Sequence, residues 1–156
     1  MAGGYVGELA AIDGEPRSAS AVALTDTLVA FLGARPFVDL VSGHPQLALA
    51  VFRRMARIIR TGTERIMDLS TLGANNRVHA ELLRLGKQGV RRDNMVEISP
   101  IPIHADIASR VSTTRETVAR VLSDLSRDGL IERRDQVLVI RDFARLEGMV
   151  EEVRGG

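Results

Sequence analysis

HADIASR at His104–Arg110, VST at Val111–Thr113 and TRETVARVLSDLSR at Thr114–Arg127 decide the fold. The first and last stretches carry helical spacing, with Ile107 and Ala108 inward in one and Val118, Val121, Leu122 and Leu125 on one face of the other. Thr113-Thr114-Arg115-Glu116 has the form of a capping box, in which the Thr113 hydroxyl accepts from the Glu116 amide and the carboxylate reaches back. Two short helices joined by a tight turn form a helix-turn-helix. The outer face at the start of the second helix offers Thr114, Arg115, Glu116 and Arg120. Arginine donates twice to guanine O6 and N7, and glutamate accepts from cytosine N4, so these types at this spacing suit base reading in a major groove. The plainer alternative is a helical hairpin with a surface Glu116–Arg120 pair.

Downstream, Gly129-Leu130-Ile131 ends the helix. Ile131-Glu132-Arg133, a turn at Arg134-Asp135-Gln136, and Val137-Leu138-Val139-Ile140 then read as a short hairpin behind it, the layout of a winged helix. Arg133 and Arg134 at its tip are placed for phosphates. Asp142 is positioned to cap a last helix over Phe143–Val153.

Upstream, residues 87–102 read as a polar loop with one short strand at Met95–Ile98, and residues 76–86 as an amphipathic helix capped by Gly86. Gly73-Ala74-Asn75-Asn76 reads as an interdomain hinge. From Pro45 to about Leu72 the pattern is a long helix, in which Ala48, Phe52, Met55, Ile59, Gly62, Ile66 and Leu69 recur at steps of four and three. Such a seam, with Arg53, Arg54, Arg57, Arg60 and Arg65 off it, predicts pairing with a second copy; burial against the chain's own core is the alternative. Residues 5–32 mix turn signals at Gly14-Glu15-Pro16 with strands expected over Ala19–Leu24 and Thr27–Leu32.

The 156 residues are 45% apolar and 26% charged, with a net charge of +1, which is the composition of a folded domain and not of a polycation. Charge is uneven along the chain: an acidic start over residues 1–34, a basic middle over 35–97 and a mixed tail. Every basic residue but Lys87 is arginine. Cysteine is absent, which excludes disulfides, thiolate metal sites and a cysteine nucleophile in these residues. No apolar run approaches ~20 residues, so no membrane span is expected. Met1-Ala2-Gly3-Gly4 lacks the features of a signal peptide, and a cytoplasmic protein is expected. His44, His79 and His104 are scattered: His44 reads as a helix-start residue and the others as surface residues. No catalytic residue and no metal-ligand set is nominated, so an enzyme is not expected.

These motifs, in this order, resemble the catabolite activator (Crp/Fnr) family of bacterial transcription regulators. Gly7-Glu8-Leu9-Ala10 followed by Pro16-Arg17-Ser18-Ala19 resembles the phosphate-binding cassette of cyclic-nucleotide-binding β-rolls. The seam helix resembles the family's dimerisation helix, and Arg115-Glu116-Thr117-Val118-Ala119-Arg120 its recognition helix. The resemblance implies an α+β fold: a partial β-roll at 1–43, a dimerisation helix at 44–72 and a winged helix-turn-helix domain at 73–156. It implies that Gly7 belongs to the effector site, that Glu8 holds a ribose hydroxyl, that Arg17 and Ser18 hold a cyclic phosphate, and that Thr63 meets the purine. The implied effector is a cyclic nucleotide such as cyclic AMP, in a longer form with a complete roll. Six residues precede Gly7 where the family has half of its β-roll, so the roll is expected to be truncated at its N-terminus.

The function expected is a homodimeric, sequence-specific regulator that binds double-stranded DNA at a pseudo-palindrome with TGTGA-like half-sites, with RNA polymerase as a further partner. The alternative is a cyclic-nucleotide-sensing dimerisation module whose DNA binding is vestigial. The Arg115, Glu116 and Arg120 set argues for the first, because a vestigial motif has no need of base-reading chemistry. Two departures from the family accompany it: Gly62 is a weak helix residue within the seam, and Ile103 stands where a capping hydroxyl is usual.

Overall fold

The computed structural model describes residues 4–23 and 26–155, which divide into two compact units, Met1–Ile59 and Arg60–Gly156. The expected readings at Met1, Ala2, Gly3 and Leu24 lie outside the described residues.

The first unit holds α1 (Glu8–Asp13), α2 (Ala34–Gly43) and the first part of α3 (Pro45–Thr71), a helix that continues into the second unit. The extent of α3 is the one expected. Pro45 suits its first position, where a missing N–H costs nothing. Neither α1 nor α2 is foreseen by the sequence reading. Gly7 and Gly14 bracket α1 at φ 89° and 74°, left-handed conformations that end a helix cheaply only with glycine. The Gly14-Glu15-Pro16 signal is therefore a helix end, not a free turn, and the Asp13 carboxylate accepts from the Glu15 amide at 3.0 Å.

The strands expected over Ala19–Leu24 and Thr27–Leu32 do not form a ladder among the described residues. β-prone side chains make a strand only when a neighbouring edge takes up the backbone groups. Residues 26–33 run without regular structure, and Leu28, Val29 and Phe31 are 100%, 77% and 85% exposed.

The second unit starts with the last turns of α3 and continues through α4 (Ala74–Gly86), β1 (Val90–Arg92), β2 (Met95–Ile98), α5 (His104–Arg110), α6 (Arg115–Arg127), β3 (Ile131–Arg134), β4 (Val137–Ile140) and α7 (Phe143–Arg154). Its antiparallel sheet has the order β1-β2-β4-β3, so the two hairpins join through β2 and β4, with Val96 opposite Ile140. The helices bury Val78, Leu82, Ile107, Val118 and Leu146 against this sheet.

Four details differ from expectation. Helix α4 begins at Ala74, so most of the expected hinge is helical. Gly86 is not a cap but the buried last residue of α4, with Lys87 as cap. A Cβ at Gly86 would come within 2.6 Å of the Phe143 ring, and this close approach is what requires glycine. The loop expected over 87–102 contains a second strand, β1, paired with β2 around a turn in which Asp93 has φ 55°. The cap of α6 is Thr114, one residue later than expected: its hydroxyl accepts from the Thr117 amide at 3.1 Å. Asp142 caps α7 as expected, accepting from Arg145 N–H at 2.9 Å. Ile103 gives α5 no side-chain cap.

Candidate functional site

Helix α6 is two-faced. Val118, Val121 and Leu125 are buried, while Arg115, Glu116 and Arg120 are exposed together near its N-terminus. The apolar face fixes the helix, and the polar face is left in solvent. Thr114, also exposed, spends its hydroxyl on the Thr117 amide and hydroxyl, both at 3.1 Å. The Glu116 backbone N–H, then the Thr114 hydroxyl, then Arg115 hold the Glu116 carboxyl below its ordinary value against slight desolvation. It is thereby kept ionised, the form that accepts from an amino group. Arg120 reaches Asn75 Oδ1 at 3.5 Å, a long contact across to the start of α4.

The turn ahead of α6 is held from outside the motif. Ser112 sits at φ 50°, and Arg77 of α4 donates to Val111 O at 2.8 Å, Ser112 O at 3.1 Å and Leu72 O at 2.7 Å. Sequence reasoning missed Arg77, because nothing local marks an arginine two of whose three acceptors are carbonyls more than thirty residues away. In the β3–β4 hairpin Arg133 and Arg134 are both exposed, but they differ. Arg134 pairs with Glu132, which also takes Arg141 at 3.2 Å, while Arg133 has no ionic partner among the described residues. Asn94 ties the β1–β2 turn to α7 by donating to Asp142 at 2.8 Å and accepting from the Ala144 amide at 2.9 Å.

The cassette residues of the first unit do come together. Gly7, Glu8, Arg17 and Ser18 line one open cavity of ≈ 280 Å³, and Arg17 lies over Gly7, where a Cβ would meet its guanidinium carbon at 3.5 Å. Glu8 is buried and bonded by Arg54 Nε at 3.1 Å; Arg54 also donates to Tyr5 O at 2.9 Å and stacks over the Tyr5 ring at 4.2 Å. Sequence spacing marks Arg54 only as an off-seam arginine, although a buried carboxylate needs such a partner. Thr63 is exposed on α3 in the second unit, and it is not among the residues lining this cavity.

Along α3 the seam residues Phe52, Ile59 and Ile66 are 66%, 67% and 65% exposed, with Leu69 and Gly62 exposed too and Met55 half-buried. Phe52, Ile59, Gly62, Ile66 and Leu69 are therefore not buried against the chain's own core. The histidines do not converge: His44 closes α2 and contacts Leu40 O at 2.9 Å, His104 is exposed, and His79 is half-buried, its ring held below its usual value by that burial. Among the described residues no group of acidic or histidine side chains could hold a metal ion, and no helix is long and apolar enough to cross a membrane.

A helix-turn-helix followed by a β-hairpin wing, behind a long helix with an open apolar seam, is the architecture of a winged-helix regulator. Residues 76–149 match the Crp-like helix-turn-helix domain, and residues 1–44 match the cyclic nucleotide-binding domain. These two domains, in their order along the chain, support a Crp/Fnr-family chain with a short cyclic nucleotide-binding domain. It is 33% identical over 145 residues to the cyclic AMP receptor protein of Thermus thermophilus, covering 93% of this chain and 64% of that protein. It is 30% identical over 142 residues to the cAMP-activated global transcriptional regulator CRP of Salmonella typhimurium, covering 88% of this chain and 66% of that one. The chain thus spans somewhat less than two thirds of these curated relatives. Among solved structures, a Crp/Fnr-family transcriptional regulator from Thermus thermophilus superposes with a TM-score of 0.56 at 25% identity, over 69% of this chain and 56% of that one. A variant of CooA from Carboxydothermus hydrogenoformans superposes at 0.66 over 76% and 55%, and at 22% identity shows the fold alone.

Proposed function

We propose that this chain acts as a dimeric, sequence-specific DNA-binding transcription regulator. The observation that carries the reading is the exposed set Arg115, Glu116 and Arg120 at the start of a helix whose opposite face is locked into the core. These are the donors and the acceptor that distinguish G·C from A·T pairs in a major groove. Thr114, Arg133 and Arg134 flank them as backbone contacts, with Arg133 the freer of the two arginines. A two-fold pair joined at the α3 seam through Phe52, Met55, Ile59, Gly62, Ile66 and Leu69 presents two such helices about one turn of DNA apart, which calls for a pseudo-palindrome. RNA polymerase is the further partner that an activating regulator would require, and the cytoplasm is where these partners meet.

Selection from a randomised duplex pool tests the reading. The chain should enrich a palindrome with TGTGA-like half-sites, and Arg120→Ala should relax choice at one base pair. Enrichment of no site, or full discrimination by Arg120→Ala, would overturn it.

The second reading is effector binding, favoured by the convergence of Gly7, Glu8, Arg17 and Ser18 on one cavity. A cyclic nucleotide fits the chemistry: Arg17 and Ser18 suit a phosphate, and Glu8 a ribose hydroxyl. The Glu8 carboxylate already holds Arg54, and the cavity is open, so contacts there compete with water. Weak cyclic AMP binding by this chain is the expected result, and Thr63 would join the site only from outside the cavity lining.

A further inference from the structure

The last turns of α3 join the DNA-binding core by charge and not by apolar packing. Between Arg60 and Thr71 the sole buried residue is Asp68, at 6% exposure. Its carboxylate takes Arg154 of α7 at 2.8–2.9 Å and Arg84 of α4 at 3.2 Å. Arg84 also holds Glu81, which is fully buried; Glu81 in turn meets Arg110 at the end of α5 at 3.3 Å and Arg65 of α3 at 3.6 Å. One connected set of charges therefore touches α3, α4, α5 and α7. Its end at Arg110 adjoins Val111, whose carbonyl accepts from Arg77 ahead of the recognition helix. The neighbouring face of the same α3 turns carries Ile66 and Leu69, the exposed end of the seam.

As a source of stability this arrangement is poor. Buried ion pairs scarcely repay their desolvation, and here Arg65 Nε and Arg84 Nε are buried without a hydrogen-bond partner among the described residues. What directional contacts supply better than apolar ones is a fixed angle. We propose that Asp68 and Glu81, with the arginines they hold, are positioning residues that fix the recognition helix relative to the seam and so set the half-site spacing the dimer accepts. The inference rests on the DNA-binding reading above and deepens it.

Binding to four duplexes, followed by fluorescence anisotropy, tests it: the selected palindrome, the same half-sites one base pair closer or farther apart, and a single half-site. The unaltered chain should prefer the native spacing by about tenfold or more, because a rigid pair engages both sites at only one separation. In Asp68→Asn the preference should fall to about twofold, with single-half-site affinity unchanged, since a loosened joint accepts several separations. Arg154→Gln removes a half-exposed partner at the end of α7 and should shift the preference the same way; it decides the matter if Asp68→Asn does not fold. Native spacing preference in a folded variant would overturn the proposal, and so would an equal loss on the single half-site, which marks damage to the reading helix itself. An unaltered chain that binds no palindrome would overturn the DNA-binding reading, and the inference with it.

Discussion

Arg115, Glu116 and Arg120 share an exposed face, yet they hold different local bonds, and their substitutions should separate accordingly. Among the described residues Arg120 has only a long contact to Asn75 to give up in order to reach a base. Arg120→Ala should cost ~1–3 kcal/mol on the preferred site and little on a site already mismatched at that pair, measured by anisotropy on both duplexes. Arg133→Ala should instead weaken every sequence alike and flatten the dependence of affinity on salt, because a phosphate contact carries no sequence information.

Protonation adds a second residue-level test. His79 is held below its usual value by burial, so the folded state resists its charging. Its contribution is therefore fully present above the ordinary histidine value of 6.5 and declines as pH falls from there through the lowered folded value. Glu116 and Asp142 act in the same sense further down, below 4.5 and 3.8, because backbone N–H bonds favour their ionised forms. Thermal midpoints should hold steady from pH 8 to about 6.5 and then fall, and His79→Gln should remove most of the slope that lies above the carboxylate range. An unchanged slope in that variant would assign it elsewhere.

Among elements, the ones legible in the sequence are those whose signals are local. Helix α3 shows a seam repeat, α5 and α6 show apolar spacing around a turn, and the β3–β4 hairpin shows a turn at Asp135 followed by the apolar run Val137–Ile140. Those missed depend on partners far away. Strand β1 contains two arginines and exposes all three residues, so nothing in it reads as a strand; it exists because β2 offers an edge. The converse error falls on Ala19–Leu24 and Thr27–Leu32, where β-prone residues find no ladder among the described residues. Gly86 was legible as a special position but for the wrong reason, since its role depends on Phe143 packing across from α7. Gly86→Ala should therefore destabilise by ~1–3 kcal/mol, seen as a lower urea midpoint with an unchanged slope, whereas a mere cap would cost less. The candidate site divides the same way. The reading face of α6 and the cassette residues follow from sequence, but Arg54, Arg77 and the Asp68–Glu81 set are long-range pairings that no spacing rule announces.

For the whole molecule, the open seam on α3 leaves several large apolar side chains in water. Phe52, Ile59 and Ile66 are each worth ~1.5–3 kcal/mol when fully buried, and a second copy is the partner with a matching stripe. Ile59→Asp should yield monomers in sedimentation, since two carboxylates would face each other across the axis, and it should lose palindrome binding while keeping the fold of each copy. An unchanged dimer would remove the seam from the interface. Calorimetry with cyclic AMP should show binding weaker than micromolar; tighter binding abolished by Arg17→Ala would show that the open cassette suffices.

Residues 26–33 have a further consequence, one that belongs to the lifetime of the protein and not to its binding. Leu28, Val29 and Phe31 stand out into water on a stretch without regular structure. A protease active site binds extended backbone and chooses its bond by the side chain beside it, so this stretch is already in a cleavable shape. Chymotrypsin should cut first at Phe31 or Leu28, long before Phe143, which is buried in α7. In a cell, the same side chains would make this stretch the handle by which quality-control machinery takes hold of the chain, so its abundance should rise when Leu28 and Phe31 are replaced by serine.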